Sequence, residues 1–253
     1  MGGRLATGIV ALGYAAIVFI GAFADRRAAF AETLGFGSND MLFVAALAAV
    51  LWFLCALRPV AATQAHAAIN ETIHIAAKAI ATTALVLMVC FILLQVVMRY
   101  ALNDAPNWTE EAARFGMLWM TGLMAPIAYR HGGFVAIDML ERALSPRLAA
   151  VLTLTLFAMS FSVLLVMWDK GLNNHVDSLT GRGCSSTLRW PLGLEVGRCA
   201  NRFSNYYQYL ALWVGINLLI LVCIELILRQ GLKLIGREGA VAPLNTEDVG
   251  SAS

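Results

Sequence analysis

The chain has 253 residues, of which 60% are hydrophobic and 13% charged, with a formal net charge of +2 and a mean hydropathy of +0.73. Ordinary soluble domains carry about 25% charged and about 45–50% apolar residues, so a soluble globular protein is excluded. So small a surplus of positive charge gives no reason to expect nucleic acid. Apolar runs of about 20 residues point to helices that cross a bilayer, where backbone polar groups must be satisfied within the segment.

Six spans are expected, at about residues 5–23, 41–57, 76–98, 112–129, 148–168 and 206–228, which makes this an all-α integral membrane protein. The first run follows Arg4 and ends in Gly21-Ala22-Phe23-Ala24, which resembles a signal-peptide cleavage site. It is longer than the apolar core of about 7–15 residues in a signal peptide, so it reads as a retained helix. The second ends at Arg58-Pro59, a cation at the negative helix terminus followed by a helix breaker. Residues 60–74 are rich in Ala, Gln, His, Asn and Thr, with Glu71 as the one charge, and read as an interfacial connector. The domain reading is therefore a two-helix extension with connector over 1–70, a four-helix unit over 71–237 and a disordered tail over 238–253. No internal repeat is visible, so the inverted-repeat build of a complete secondary transporter is not expected.

The third span ends in Gln95-Val96-Val97-Met98-Arg99-Tyr100. Pro106-Asn107-Trp108-Thr109-Glu110-Glu111 then starts the fourth. Asn107 is placed to cap with Glu110 three residues on, and both carboxylates sit at the positive end of the helix dipole. Arg114 lies one turn on, within reach of either. Trp108 and Trp119 suit the headgroup zone. The fourth span closes on Arg130 and is followed by Ile137-Asp138. Between the last two spans, the polar loop 169–205 is the longest connection. It holds Cys184 and Cys199, without metal-ligand spacing or a Cys-x-x-Cys motif. They are either bridged, the economical reading in an oxidising compartment, or two unpaired thiols. Cys55, Cys90 and Cys223 lie in apolar runs and read as small hydrophobes. In the last span Glu225 is expected to pair with Arg229 one turn later near the interface. Asn217 and Gln95 are expected to make interhelical hydrogen bonds.

An even number of spans puts both termini on one side. Lys and Arg counts tie at nine against nine, and favour cytoplasmic termini by nine to four once the 169–205 loop is omitted. An oxidising exterior around Cys184 and Cys199 agrees.

Gln95 with Arg99-Tyr100, Asn103, Trp108 with Glu110-Glu111, Arg114, Trp119 with Gly122, Arg130 and Ile137-Asp138 form a pattern. It resembles the small membrane subunit of tripartite ATP-independent periplasmic (TRAP) transporters, over about residues 76–235. The chain departs from that family at Phe134, where a histidine is usual, and in its extra segment 1–58 and longer 169–205 loop. The resemblance implies a non-catalytic scaffold of the bacterial inner membrane with no substrate, metal or cofactor site of its own. Its implied partners are membrane lipids, a large sodium-driven permease subunit that moves an organic acid anion, and a soluble periplasmic binding protein. No nucleic acid is implied. Two other classes compete. His74 and His131 suggest a haem-carrying electron-transfer subunit or oxidoreductase anchor. Glu110 and Glu111 suggest an acid–base pair of a membrane enzyme, although adjacent helical residues point about 100° apart.

Overall fold

A computed structural model describes residues 59–104, 106–131, 146–170, 183–190, 199, 201–236, 239 and 241–242. The spans expected at 5–23 and 41–57, Asp138 and the 238–253 tail beyond residue 242 lie outside the described residues. Four helices are present among the described residues: α1 (Pro59–Ala101), α2 (Asn107–Arg130), α3 (Pro146–Lys170) and α4 (Tyr206–Leu234). Between α3 and α4 stands an antiparallel pair, β1 (Cys184–Arg189) and β2 (Arg202–Ser204). The polar loop that composition presents as irregular thus contains a β-ribbon, and the fold is mostly rather than wholly helical. Helices α1, α3 and α4 are long and apolar enough to cross a membrane. Helix α2 is the least apolar of the four.

Residues 60–74, expected as a connector, are the first turns of α1. Proline at the first helical position sacrifices no bond, and the alanine-rich run after it favours helix. One row of polar side chains there turns onto the protein: Thr63, His66, Asn70 and His74 are buried, while Gln64, Glu71 and Thr72 are exposed. At 43 residues α1 is about 65 Å long, more than twice a hydrocarbon core of about 30 Å. It ends at Ala101; two residues on, Asn103 has a left-handed φ of 53°, and the Asp104 amide returns to the Met98 carbonyl at 3.2 Å. Asparagine is one of the few residues that tolerates that conformation, which gives Asn103 a definite task.

The chain divides into two compact units, Met1–Thr72 with Tyr129–Leu165 and Ile220–Ser253, and Ile73–Ala128 with Val166–Leu219. The first buries Thr63, Cys223, Glu225 and Leu232 almost completely. The second has its core at Ala77, Ala81 and Leu123, with Trp119, Met120, Ile127, Val214 and Leu218 packed around them. Here α2 and α4 meet backbone to backbone. A Cβ on Gly122 would lie 2.5 Å from the Ala211 carbonyl oxygen, and one on Gly215 would lie 2.6 Å from the Gly122 carbonyl oxygen. Small residues permit such an approach, which is how helices associate when lipid removes the hydrophobic drive between them. Trp168 on α3 donates from Nε1 to the Asn217 side-chain oxygen on α4 at 3.1 Å, the interhelical bond expected for Asn217.

Candidate functional site

Glu111, just past the first turn of α2, holds the ribbon. Glu111 Oε2 accepts from Ser185 Oγ at 2.6 Å, Thr187 Oγ1 at 2.5 Å and the amides of Thr187 and Leu188, each at 3.2 Å. In a regular strand successive amides point opposite ways. The register shift between Cys184 and Arg189 lets two consecutive ones converge on a single oxygen. Leu188 N also donates to Ser185 Oγ at 2.7 Å, which orients that hydroxyl. Beneath the ribbon, Phe203 stacks between Trp190, Phe115 and Tyr207 at centroid distances of 4.7, 5.2 and 5.2 Å. Trp119 Nε1 donates to the Tyr207 carbonyl at 3.1 Å. A disulfide joins Cys184 to Cys199, with Cα atoms 5.7 Å apart, and closes the ribbon at the end away from Arg189. Desolvation raises the Glu111 pKa, but the donors from Ser185, Thr187 and Leu188 outweigh it and hold the carboxyl below its ordinary value of 4.5.

Two measurable outcomes follow from this geometry. Glu111→Ala leaves the buried Ser185 hydroxyl and the Thr187 amide without their Glu111 acceptor, with Leu188 keeping only Ser185 Oγ, an expected loss of about 1–3 kcal/mol of local stability. Hydrogen exchange over 183–190 should quicken, and wild-type rates in the variant would exclude the role. Because the folded pKa is depressed, the carboxylate's contribution is fully present above the unfolded value and fades as pH falls through the folded one. Intrinsic-rate-corrected protection of Thr187 and Leu188 should therefore be flat from pH 8 to pH 5 and decline below about 4. The disulfide predicts that thiol labelling at Cys184 and Cys199 appears only after reduction. Equal labelling before and after would contradict it.

The other polar site is buried. Glu225 on α4 has no exposed side chain and Arg130, in the last turn of α2, has 5%. Arg130 donates from Nε to Glu225 Oε2 at 3.1 Å and from Nη2 to Glu225 Oε1 at 3.3 Å, while its Nη1 reaches Glu71 Oε2 at 2.7 Å. Arg229 Nε adds 2.9 Å to Glu225 Oε1, and Asn70 Nδ2 adds 2.6 Å to Oε2. Two carboxylates face two guanidiniums, so the cluster is neutral. Its members come from α1, α2 and α4. The expected Glu225–Arg229 pair is present, but Glu225 is enclosed by protein rather than placed at an interface. Neither site contains an activated nucleophile, and no group of three or more His, Cys, Asp or Glu able to hold a metal occurs among the described residues. Chemically, both arrangements fix elements in place.

Compared with known protein families, residues 88–232 match the DctQ component of the tripartite ATP-independent periplasmic transporters. That is more than half of the chain, and it includes both α2 and the ribbon. The chain belongs to the DctQ family. No curated protein and no solved structure matches it. The family is the small permease component and works with two further components of a tripartite system. It lends the haem-carrying alternative no support.

Within this DctQ component the pattern residues separate by place. Glu111, Arg114, Trp119 and Glu110 gather on the first half of α2, where Arg114 pairs with Glu110 one turn away. The reciprocal Asn107–Glu110 capping is not formed. Thr109 Oγ1 instead donates to the Pro106 carbonyl at 2.7 Å. Trp108 meets Phe91 edge-on at 5.7 Å. Trp119, expected at the headgroups, is half-buried and bonded to α4. Gln95 is half-buried on α1, and Arg99 and Tyr100 are exposed at its end. Arg130 belongs to the buried cluster. Sequence reasoning missed the partnership of Glu111 with Ser185, Thr187 and Leu188, and that of Arg130 with Glu71, Asn70 and Glu225.

Proposed function

We propose that this DctQ component is the non-catalytic small permease subunit of a sodium-driven transporter that takes up an organic acid anion brought by a soluble binding protein. It lies in the bacterial inner membrane with both termini in the cytoplasm and the β-ribbon outside. The family match supports the role, and the Cys184–Cys199 bridge, suited to an oxidising compartment, supports the orientation. The observation that carries the scaffold reading is the use of the polar groups. Glu111, Glu225, Arg130 and Asn217 are all spent on bonds between the chain's own elements. Apolar faces of α1 and α3 remain for lipid and for the large subunit: only 6% and 11% of their most apolar windows are buried, against 44% for α4. Sodium and substrate are bound by the large subunit, and the binding protein docks on the outer face. Gln95, Arg99, Tyr100, Asn103, Trp108, Glu110, Arg114 and Asp138 serve assembly.

Reconstitution tests this directly. The purified chain alone in liposomes is expected to move no organic acid, whereas uptake appears when the large subunit, the binding protein and an inward sodium gradient are supplied. Uptake by the chain alone, or uptake indifferent to sodium, refutes the proposal. Arg114→Ala should reduce recovery of the complex while leaving substrate preference unchanged, and a changed preference would place substrate on this chain.

A further inference from the structure

The ribbon has an outer face that its own fold does not use. Arg189 and Arg202 are direct partners across β1 and β2, and both are exposed. Side chains of directly opposed residues stand on the same face, and like charges so placed destabilise the pair. Arg114, Arg130 and Arg229 each bond a carboxylate, and Arg99 stands in the last turn of α1. No carboxylate within 4 Å serves Arg189 or Arg202 among the described residues. The surrounding sequence does not neutralise them either, since residues 181–202 contain Arg182, Arg189, Arg198 and Arg202 against Glu195 alone. The register shift that aims two amides at Glu111 also changes the alternation of β1. Ser185 is buried, Thr187 and Leu188 are half-buried, and Arg189 comes out on the exposed side with Cys184 and Ser186.

We infer that this outer face, carrying Arg189 opposite Arg202, is a docking surface for an acidic patch on the soluble extracytoplasmic binding protein. The inference rests on the proposed binding-protein-dependent transport and names the contact. Guanidinium groups bind carboxylates through paired donors, and the bridge, Glu111 and the aromatic stack already immobilise the ribbon, so little ordering is left for binding to impose. A lipid surface fits less well. Interfacial attachment combines cations with apolar side chains that enter the acyl boundary. Here the large rings near the ribbon, Trp190 and Phe203, pack on each other and on Tyr207, while the outer face offers Cys184, Ser186 and the two arginines.

The test uses this chain with its large subunit in zwitterionic nanodiscs, and the binding protein of the same system as the labelled probe. Association with the wild-type complex should slow as salt rises. Arg189→Ala with Arg202→Ala should cut the association rate about tenfold and remove most of the salt dependence, as for charges that steer encounter. Arg189→Lys with Arg202→Lys should stay within about twofold of wild type, and Arg189→Glu with Arg202→Glu should be slowest. Closure of the Cys184–Cys199 bridge, verified by thiol counting, identifies folded variants, with single Arg→Gln changes as a second set. Wild-type kinetics in the alanine variant overturn the ribbon assignment and leave docking elsewhere on the complex standing. No association with the wild-type complex overturns the docking reading and this inference together. If the alanine variant keeps its protein association but loses binding to phosphatidylglycerol vesicles, the arginines serve lipid and the inference fails.

Discussion

Arg130→Ala is expected to cost about 3–5 kcal/mol, the range for removing one member of a buried ion pair, because Glu225 loses two of its four donated bonds and Glu71 loses its cation. In the folded chain the Arg130 side chain is 5% exposed and that of Glu225 is at 0%. A lysine cannot substitute: Arg130 uses Nε, Nη1 and Nη2 on two different carboxylates, and an ammonium has no such fork. Glu225→Gln should be nearly as damaging, since it leaves Arg130 and Arg229 with one carboxylate, the half-exposed Glu71. Arg130→Met combined with Glu225→Leu should cost less than the sum of the single changes, because Arg229, near the helix end, can turn toward water. The measurement is resistance to unfolding in mild detergent, with recovery of the transporter complex as the second readout. A strictly additive cycle would show that the cluster does not act as a unit.

The second large effect is expected at the α2–α4 crossing. Even Gly122→Ala puts a methyl where the Ala211 carbonyl oxygen is 2.5 Å away, and Gly215→Ala meets the Gly122 backbone at 2.6 Å. Main-chain atoms cannot rotate aside as a side chain would, so the helices must part. Parting them strains the Trp119–Tyr207 bond and the Leu123 core. Each alanine should cost toward the upper end of about 1–3 kcal/mol, and valine more, with loss of ribbon protection because Tyr207 and Phe203 move with α4. Alanine at Gly231, where an added Cβ meets nothing within 4 Å, is the matched control and should be silent. Equal stability of the Gly122 and Gly231 variants would refute the close crossing.

What could be read from residues alone follows the range of the interactions. The helix cores at 76–98, 112–129, 148–168 and 206–228 were legible because apolar runs of that length mark a helix from local sequence, whatever comes to cover it. The Glu110–Arg114 and Glu225–Arg229 pairs were legible because one helical turn brings them together. Asn70 and Arg130 are 155 and 95 residues from Glu225, and no local pattern announces such a meeting. That same separation made 60–74 look like an interfacial connector, whereas Glu225 takes up Asn70 and Arg130 takes up Glu71. The partners of Glu111 were missed for a related reason. Its place near the start of a helix already accounts for a carboxylate, so nothing pointed to Ser185, Thr187 and Leu188. The ribbon hid because Cys184–Arg189 has only six residues and an irregular register, which erases the strict alternation that identifies a strand.

The order of synthesis gives the buried cluster one more meaning. A ribosome delivers Asn70, Glu71 and Arg130 to the translocon well before Glu225 emerges. An isolated acid at mid-membrane resists insertion by a few kcal/mol, about 2.5–3.5 on translocon scales. Here a guanidinium and an amide from earlier segments have been made before it, and Arg229 follows four residues behind it. Insertion of α4 is therefore expected to depend on its predecessors, so that a chain misthreaded upstream yields less inserted α4 than the intact one.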